Sequence, residues 1–370
     1  MRFMKEPREH LIDTINALDE PLRAALMLIY VHQGAMDEER PDLSAAEAVS
    51  ELAGIPLPRI RGCLRELHGS FLKTTDAQGR LVWGFAHPTI ADALTDILKA
   101  RSHMVGALVR GAALETILRS VVCEGAQPVP DAPIVPATLD DVLVARFSSI
   151  RDEEFTNRLM FNFLAHRANE NVFKRVVSAH PELLKRYCWQ SHTMRLAPRV
   201  VTHARAYAYG ALDVDTQDAT ASELEAAALD QFDLSFFDEP DVLRLIPSRR
   251  AIALGIRLRT QALPDLCDRI RSAGEEADTS DSVEGVFGRF GDGLDTLEEL
   301  GNVDDETEQM MSDARDALDE AKDLFRERKA ADENEDHSAE WNYMSSAPSQ
   351  EPAEADNIHE TRSVFSDVDH

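Results

Sequence analysis

The stretch from Leu67 to Leu98 constrains the fold more than any other part of the chain. Phe71 and Leu72, then Leu81, Val82, Trp83 and Phe85, form two short runs rich in β-formers around Asp76-Ala-Gln-Gly79. This is the pattern of a hairpin with glycine at its tight position. Pro88 then sits where a first helical residue tolerates a missing N–H, and Ile90, Leu94, Ile97 and Leu98 recur at helical spacing. A two-stranded wing therefore feeds directly into a helix, with His87 at the junction.

The residues ahead of the hairpin supply helices. Pro21, Leu22, Ala25, Leu26 and Ile29 mark one that ends before Gly34, and Ser44-Ala-Ala-Glu47 reads as a capping box ahead of Val49 and Leu52. Gly54-Ile-Pro-Leu-Pro58 breaks the chain before Ile60, Leu64 and Leu67 resume helical spacing. Helix, helix, turn, helix, two-stranded wing is the order of a winged helix. Its third helix carries Arg59, Arg61 and Arg65, which in a DNA reader would face phosphates and guanine edges in the major groove. An ordinary solvated helix face accounts for the same three arginines.

Charge separates the chain into parts. The formal net charge is −28, and residues 275–370 hold 30 of the 67 acidic groups against 7 of the 39 basic ones, a net of −23. The acidity belongs to the C-terminal quarter. Cys63, Cys123, Cys188 and Cys267 are far apart and form no Cys-x-x-Cys pair, so neither a disulfide framework nor a zinc ribbon is expected, and a reducing cytoplasm fits. No apolar run approaches the roughly 18 to 20 residues that span a bilayer.

At residues 6–150 the chain resembles the segment that follows the ATPase core in bacterial STAND-type NTPases of the novel STAND group. There a winged helix ends in a phrase like Leu-x-Gly-Ser-Phe, a hairpin, and Phe-x-His-Pro-Thr/Ser. Here those positions are Leu67, Gly69, Ser70 and Phe71, then Phe85, His87, Pro88, Thr89 and Asp92. In the wider superfamily a histidine of the winged helix reaches the β-phosphate of bound ADP and holds the off state. The resemblance thus makes His87 the candidate nucleotide sensor, acting toward a separate P-loop ATPase subunit. The chain itself lacks Gly-x-x-x-x-Gly-Lys-Ser/Thr, so it has no loop of backbone N–H groups to cradle phosphates. A helix-start histidine is the plainer account of His87, because such a ring can accept from an orphan N–H.

Beyond the wing, helical spacing continues to about Cys123, and Pro128, Pro130, Pro133 and Pro136 then surround Ile134-Val135, a linker or short extended segment within 126–150. Short helical segments broken at Asn169, Pro181, Pro198, Gly210 and Pro240 fill 151–275 as an irregular array. Gly285, Gly288, Gly291 and Gly293 read as a flexible break. Leu294, Leu297 and Leu300 make a short apolar face, and Met310, Ala314, Ala317, Ala321 and Leu324, beside Met311, Leu318 and Phe325, predict an amphipathic helix from about Asp304 to Ala330. Residues 331–370 are acidic and poor in β-branched residues, the composition of a disordered tail, with Trp341, Tyr343, Val364 and Phe365 as isolated apolar spots.

The expected fold is therefore mainly α: a winged-helix domain with flanking helices over 1–125, a linker, a helical array, an acidic amphipathic helical segment over 276–330 and a disordered acidic tail. His180, Cys188, His192 and His203 cluster in one region at spacings that match no zinc pattern, so no metal or cofactor is expected. No Gly-x-Ser-x-Gly, His-Glu-x-x-His or Gly-x-Gly-x-x-Gly after a strand occurs, so no enzymatic activity is expected. Two functional readings follow: a non-catalytic regulatory or interaction module with a protein partner, tied through the resemblance to prokaryotic defence or signalling, or a winged-helix DNA-binding regulator with an autoinhibitory acidic tail. Neither involves a membrane.

Overall fold

A computed structural model describes residues 6–130, 132–147, 154–185, 197–301 and 304–346. The chain is mainly helical, and it divides into two units: the chain up to Leu266 with Arg289–Ser312, and Cys267–Gly288 with the chain from Asp313.

The first unit opens with α1 (Glu6–Ala17) and α2 (Glu20–Val31). Residues Ala24 to Ile29 are all buried, so α2 runs through the core instead of lying on it. Strand β1 (Ala35–Asp37) leads to α3 (Leu43–Ala53) and α4 (Leu57–Glu66). The cap of α3 is Asp42, whose carboxylate accepts from the Ser44 and Ala45 amides (2.9 and 3.3 Å), so helix begins one residue before the Ser44 expected to cap it. Gly54, at φ +64, ends α3 in a left-handed turn.

Strands β2 (Leu72–Ala77) and β3 (Arg80–Phe85) form the expected hairpin. Gln78 and Gly79 both take positive φ (58° and 79°), the two-residue turn whose twist matches that of the strands, and Asp76 Oδ1 accepts the Gly79 amide at 2.7 Å. The sheet has three strands, not two. β1 pairs antiparallel with β3 in the order β1-β3-β2, with Met36 opposite Trp83. Trp83 and Leu72 are buried, whereas Phe71 and Phe85 are half-buried.

After the hairpin come α5 (Pro88–Ala100), α6 (Ser102–Gly111) and α7 (Leu114–Ser120). The proline-rich segment contains a short extended piece at Ile134-Val135, the second of the two readings given for it. β4 (Val122–Cys123) and β5 (Ile134–Val135) pair in parallel, the Cys123 amide donates to Arg167 O at 2.8 Å, and Val135 is fully buried. Helices α8 (Asp140–Phe147), α9 (Glu154–His166), α10 (Glu170–Ala179) and α11 (Pro198–Ala208) follow. One continuous apolar cluster runs from Ile15 to Ala206, so the hairpin region and the first helices of the array share a core. Arg205 donates to the carbonyls of Leu164, Ala165 and Ala168, closing the C-terminal end of α9, and stacks on Phe173 with its guanidinium 4.9 Å from the ring centroid.

The first unit continues through α12 (Val214–Asp230), α13 (Pro240–Leu243) and α14 (Ser248–Arg257), which passes into a π-helical turn at Leu258–Ala262, and then α15 (Leu266–Glu276) begins. The glycine-rich stretch is not a flexible break. It lies inside α16 (Val283–Glu299), where a Cβ at Gly293 would sit 2.8 Å from two ring carbons of buried Phe232. The glycine is what lets this turn of helix lie against that ring. Phe290, Leu294 and Leu297 are buried beside it, and Leu300 is exposed.

In the second unit, α17 (Asp305–Ser346) buries Ala314, Ala317, Leu318, Ala321 and Phe325, and Leu324, expected on that face, is 60% exposed. Phe287 packs edge-on against Phe325 (5.9 Å), and Gly274 leaves room for the Phe287 ring. Arg328 donates to the Glu275 and Ala277 carbonyls at the end of α15. The disorder expected from residue 331 is not found over 331–346, where α17 runs on to Ser346. No Gly or Pro occurs between Gly301 and Pro348 to stop it. Residues 347–370, with Val364 and Phe365, lie outside the described residues, and no helix among the described residues is long and apolar enough to cross a membrane.

Candidate functional site

His87 joins β3 to α5. Its backbone is extended (φ −142°, ψ 145°), and its ring closes the helix N-terminus: Nδ1 accepts the Thr89 amide at 3.3 Å and lies 2.9 Å from Thr89 Oγ1. Pro88 fills the first helical position, where no N–H needs a partner. Since Nδ1 keeps its lone pair toward the amide, the neutral ring carries its proton on Nε2. The residue is exposed, and no partner for Nε2 occurs among the described residues.

Arg59, Arg61 and Arg65 are all exposed on α4. Arg61 and Arg65 are one turn apart, Arg59 faces away from Arg61, and Arg61 donates to the Glu38 carbonyl. Residues 35–87, which hold the sheet and α4, carry six Lys and Arg against eight Asp and Glu, a net of −2.

A cleft of the first unit lies along α5 and α7, and its lining includes neither His87 nor the arginines of α4. It has two lobes of about 530 and 490 Å³ that share Tyr30, Asp92, Thr95, Arg119 and Ser120. One lobe adds Gln33, Phe85 and Glu115; the other adds Arg8, Arg167, Pro130 and Pro133. Thr95 Oγ1 donates to Ala91 O, so Tyr30 donates its phenolic hydrogen to Thr95 Oγ1 (2.9 Å), and burial raises the Tyr30 pKa. Among the described lining groups the first lobe counts Asp92 and Glu115 against Arg119, and the second counts Arg8, Arg119 and Arg167 against Asp92. The cleft is thus polarised, acidic at one end and basic at the other. Of its lining, the sequence phrase included only Phe85 and Asp92. The arginines come from α1, α7 and the residue after α9, and no local pattern marks them.

Of the four soft side chains, His180 and His203 are among the described residues. Cys188 and His192 lie outside the described residues, and among the described residues no group of three His, Cys, Asp or Glu could hold an ion. His203 is fully buried, with Nε2 2.9 Å from Leu184 O and Nδ1 2.7 Å from Thr220 Oγ1, and burial pushes its pKa down to about 4. It is a neutral core histidine that ties α11 to α12. Cys123 is buried, and its thiol is pushed up to about 12 by desolvation, which removes it as a nucleophile. Comparison of the chain with family models, with curated proteins and with solved structures found no match.

Proposed function

We propose that the chain is a non-catalytic regulatory or interaction module of the bacterial cytoplasm, in which α2 to α4 and the three-stranded sheet act as a winged helix. It resembles the region that follows the ATPase core in STAND-type NTPases, and its role is in defence or signalling through a separate P-loop ATPase subunit. The observation that carries the reading is the geometry of His87. One ring nitrogen is used by the helix cap, which orients the imidazole, while the other is a donor on the surface, suited to meet a phosphate oxygen brought by a partner. Charge argues against the DNA reading, because duplex binding at physiological salt rests on phosphate neutralisation and the region around α4 is net acidic.

The test uses the purified chain and the P-loop ATPase encoded nearest to it. The chain alone neither binds nor hydrolyses ATP in magnesium and gives no duplex DNA shift at low salt. Added to the ATPase, it slows ADP release, and His87→Ala abolishes that effect while the variant stays folded. Sub-millimolar ATP binding by the chain alone, or a DNA shift with a steep salt slope, overturns the proposal. So does an ATPase whose ADP release is the same with the wild-type chain and with His87→Ala.

A further inference from the structure

The basic lobe of the cleft contains a cation that pairs with no carboxylate among the described residues. Arg167 follows the last residue of α9 and is half-buried; among the described residues its guanidinium makes one hydrogen bond, from Nη1 to the Val121 carbonyl at 3.3 Å, and no carboxylate pairs with it. Burial alone pushes its pKa down. Next to it, the His166 ring is held below its ordinary value by burial and by the neighbouring Arg205 and Arg167, so the local field is positive. Buried charges are ordinarily paired because desolvating an unmatched ion is costly, and Arg167, half-buried, bears a share of that cost. Arg8, held by Asp96 at 2.6 Å, and Arg119 line the same lobe.

We infer that this lobe binds an anionic group, a phosphate or carboxylate, of a small ligand whose other end carries hydrogen-bond donors. The planar fork of arginine fits both oxyanions bidentately. Acceptors for the donor-bearing end lie where the lobes meet and beyond: the Asp92 carboxylate and the hydroxyl oxygens of Thr95 and Ser120, whose hydrogens are already given to Ala91 O and Thr116 O, line both lobes, and Glu115 lines the opposite lobe alone. Each lobe has the volume of a small-molecule site. The inference does not depend on the winged-helix reading, since the cleft lies on other residues than His87 and α4.

The experiment is calorimetry and thermal denaturation of the full chain with inorganic pyrophosphate and, separately, with citrate, each against sodium chloride of equal ionic strength. Saturable binding of either probe, with a rise in melting temperature beyond the salt control, is the expected result. Pyrophosphate alone marks a phosphate ligand and citrate alone a carboxylate. Arg119→Gln and Arg167→Gln should each weaken binding about tenfold or more, the worth of a charge-assisted hydrogen bond. Arg249→Gln, an exposed arginine on α14, should leave it unchanged. Should Arg167→Gln fail to fold, Arg119→Gln on the exposed face of α7 carries the same test. No saturable binding of either probe, or binding that survives the arginine substitutions, overturns the inference.

Discussion

His203 makes the stability of the first unit depend on pH in a calculable way. Its ring is fully buried, edge-on to Phe161, and burial, with the Arg199 charge next, outweighs the Leu184 carbonyl that favours the cation, so the neutral form is the one the fold holds. The folded pKa is about 4, while an unfolded histidine titrates near 6.5. Between those values the unfolded chain carries a proton that the folded chain does not, so stability rises with pH there. The contribution is fully present above about pH 7 and is lost as pH falls through 6.5 toward 4. Integrating the linkage relation gives a loss of about 2 kcal/mol between pH 8 and pH 5, out of about 3 kcal/mol in all. His166, also shifted down by burial, acts with the same sign. Asp213, held low chiefly by its hydrogen bonds from Thr216, loses its contribution only at lower pH. Urea unfolding at the two pH values, in the wild type and in His203→Gln, isolates the His203 share: the variant should lack about 2 kcal/mol of the pH dependence. Equal pH dependence in both proteins, or a His203 ring that titrates near 6.5 by NMR, would refute the argument.

Three further outcomes are expected from unfolding free energies. Gly293→Ala should destabilise by about 1 to 3 kcal/mol, because its Cβ meets the buried Phe232 ring and backbone, whereas Gly255→Ala, with open space around it in α14, should stabilise by up to about 1 kcal/mol through helix propensity. A loss at both positions would mean that propensity and packing have been misassigned. Trp83→Ala should cost about 3 to 5 kcal/mol, and Trp83→Phe well under half of that, since the buried indole N–H has no partner to lose. His87→Ala should cost only about 1 kcal/mol, the worth of a helix cap; a loss as large as that of Trp83→Ala would place the histidine in the core.

What could be read in the sequence follows from how local each signal is. The hairpin was legible because Gln78-Gly79 and the alternation around Trp83 are written within fifteen residues, and α5 because Pro88 and the spacing from Ile90 to Leu98 are too. Strand β1 was not, since three residues show no alternation and Ala35–Asp37 becomes a strand only by pairing with β3. The glycines of α16 misled for a related reason: taken locally they lower helix propensity, and only the approach to Phe232, about sixty residues earlier, explains Gly293. The end of α17 was misjudged because acidic composition was weighed above the absence of Gly and Pro.

The sites divide along the same line. His87 announced itself through a phrase of consecutive residues, and its cap geometry is equally local. The cleft is built otherwise: Arg8, Arg119 and Arg167 stand at ordinary-looking positions, and each alone reads as a solvated cation. What distinguishes Arg167 is a relation, the lack of a carboxylate beside a half-buried guanidinium, and that relation exists only once α9 and β4 are packed so that its side chain reaches Val121 O. Sequence patterns report periodicity and turns, which are properties of neighbours in the chain. An unmatched charge is a property of neighbours in space, so the residue that most needs a ligand is the one the sequence had no means to mark.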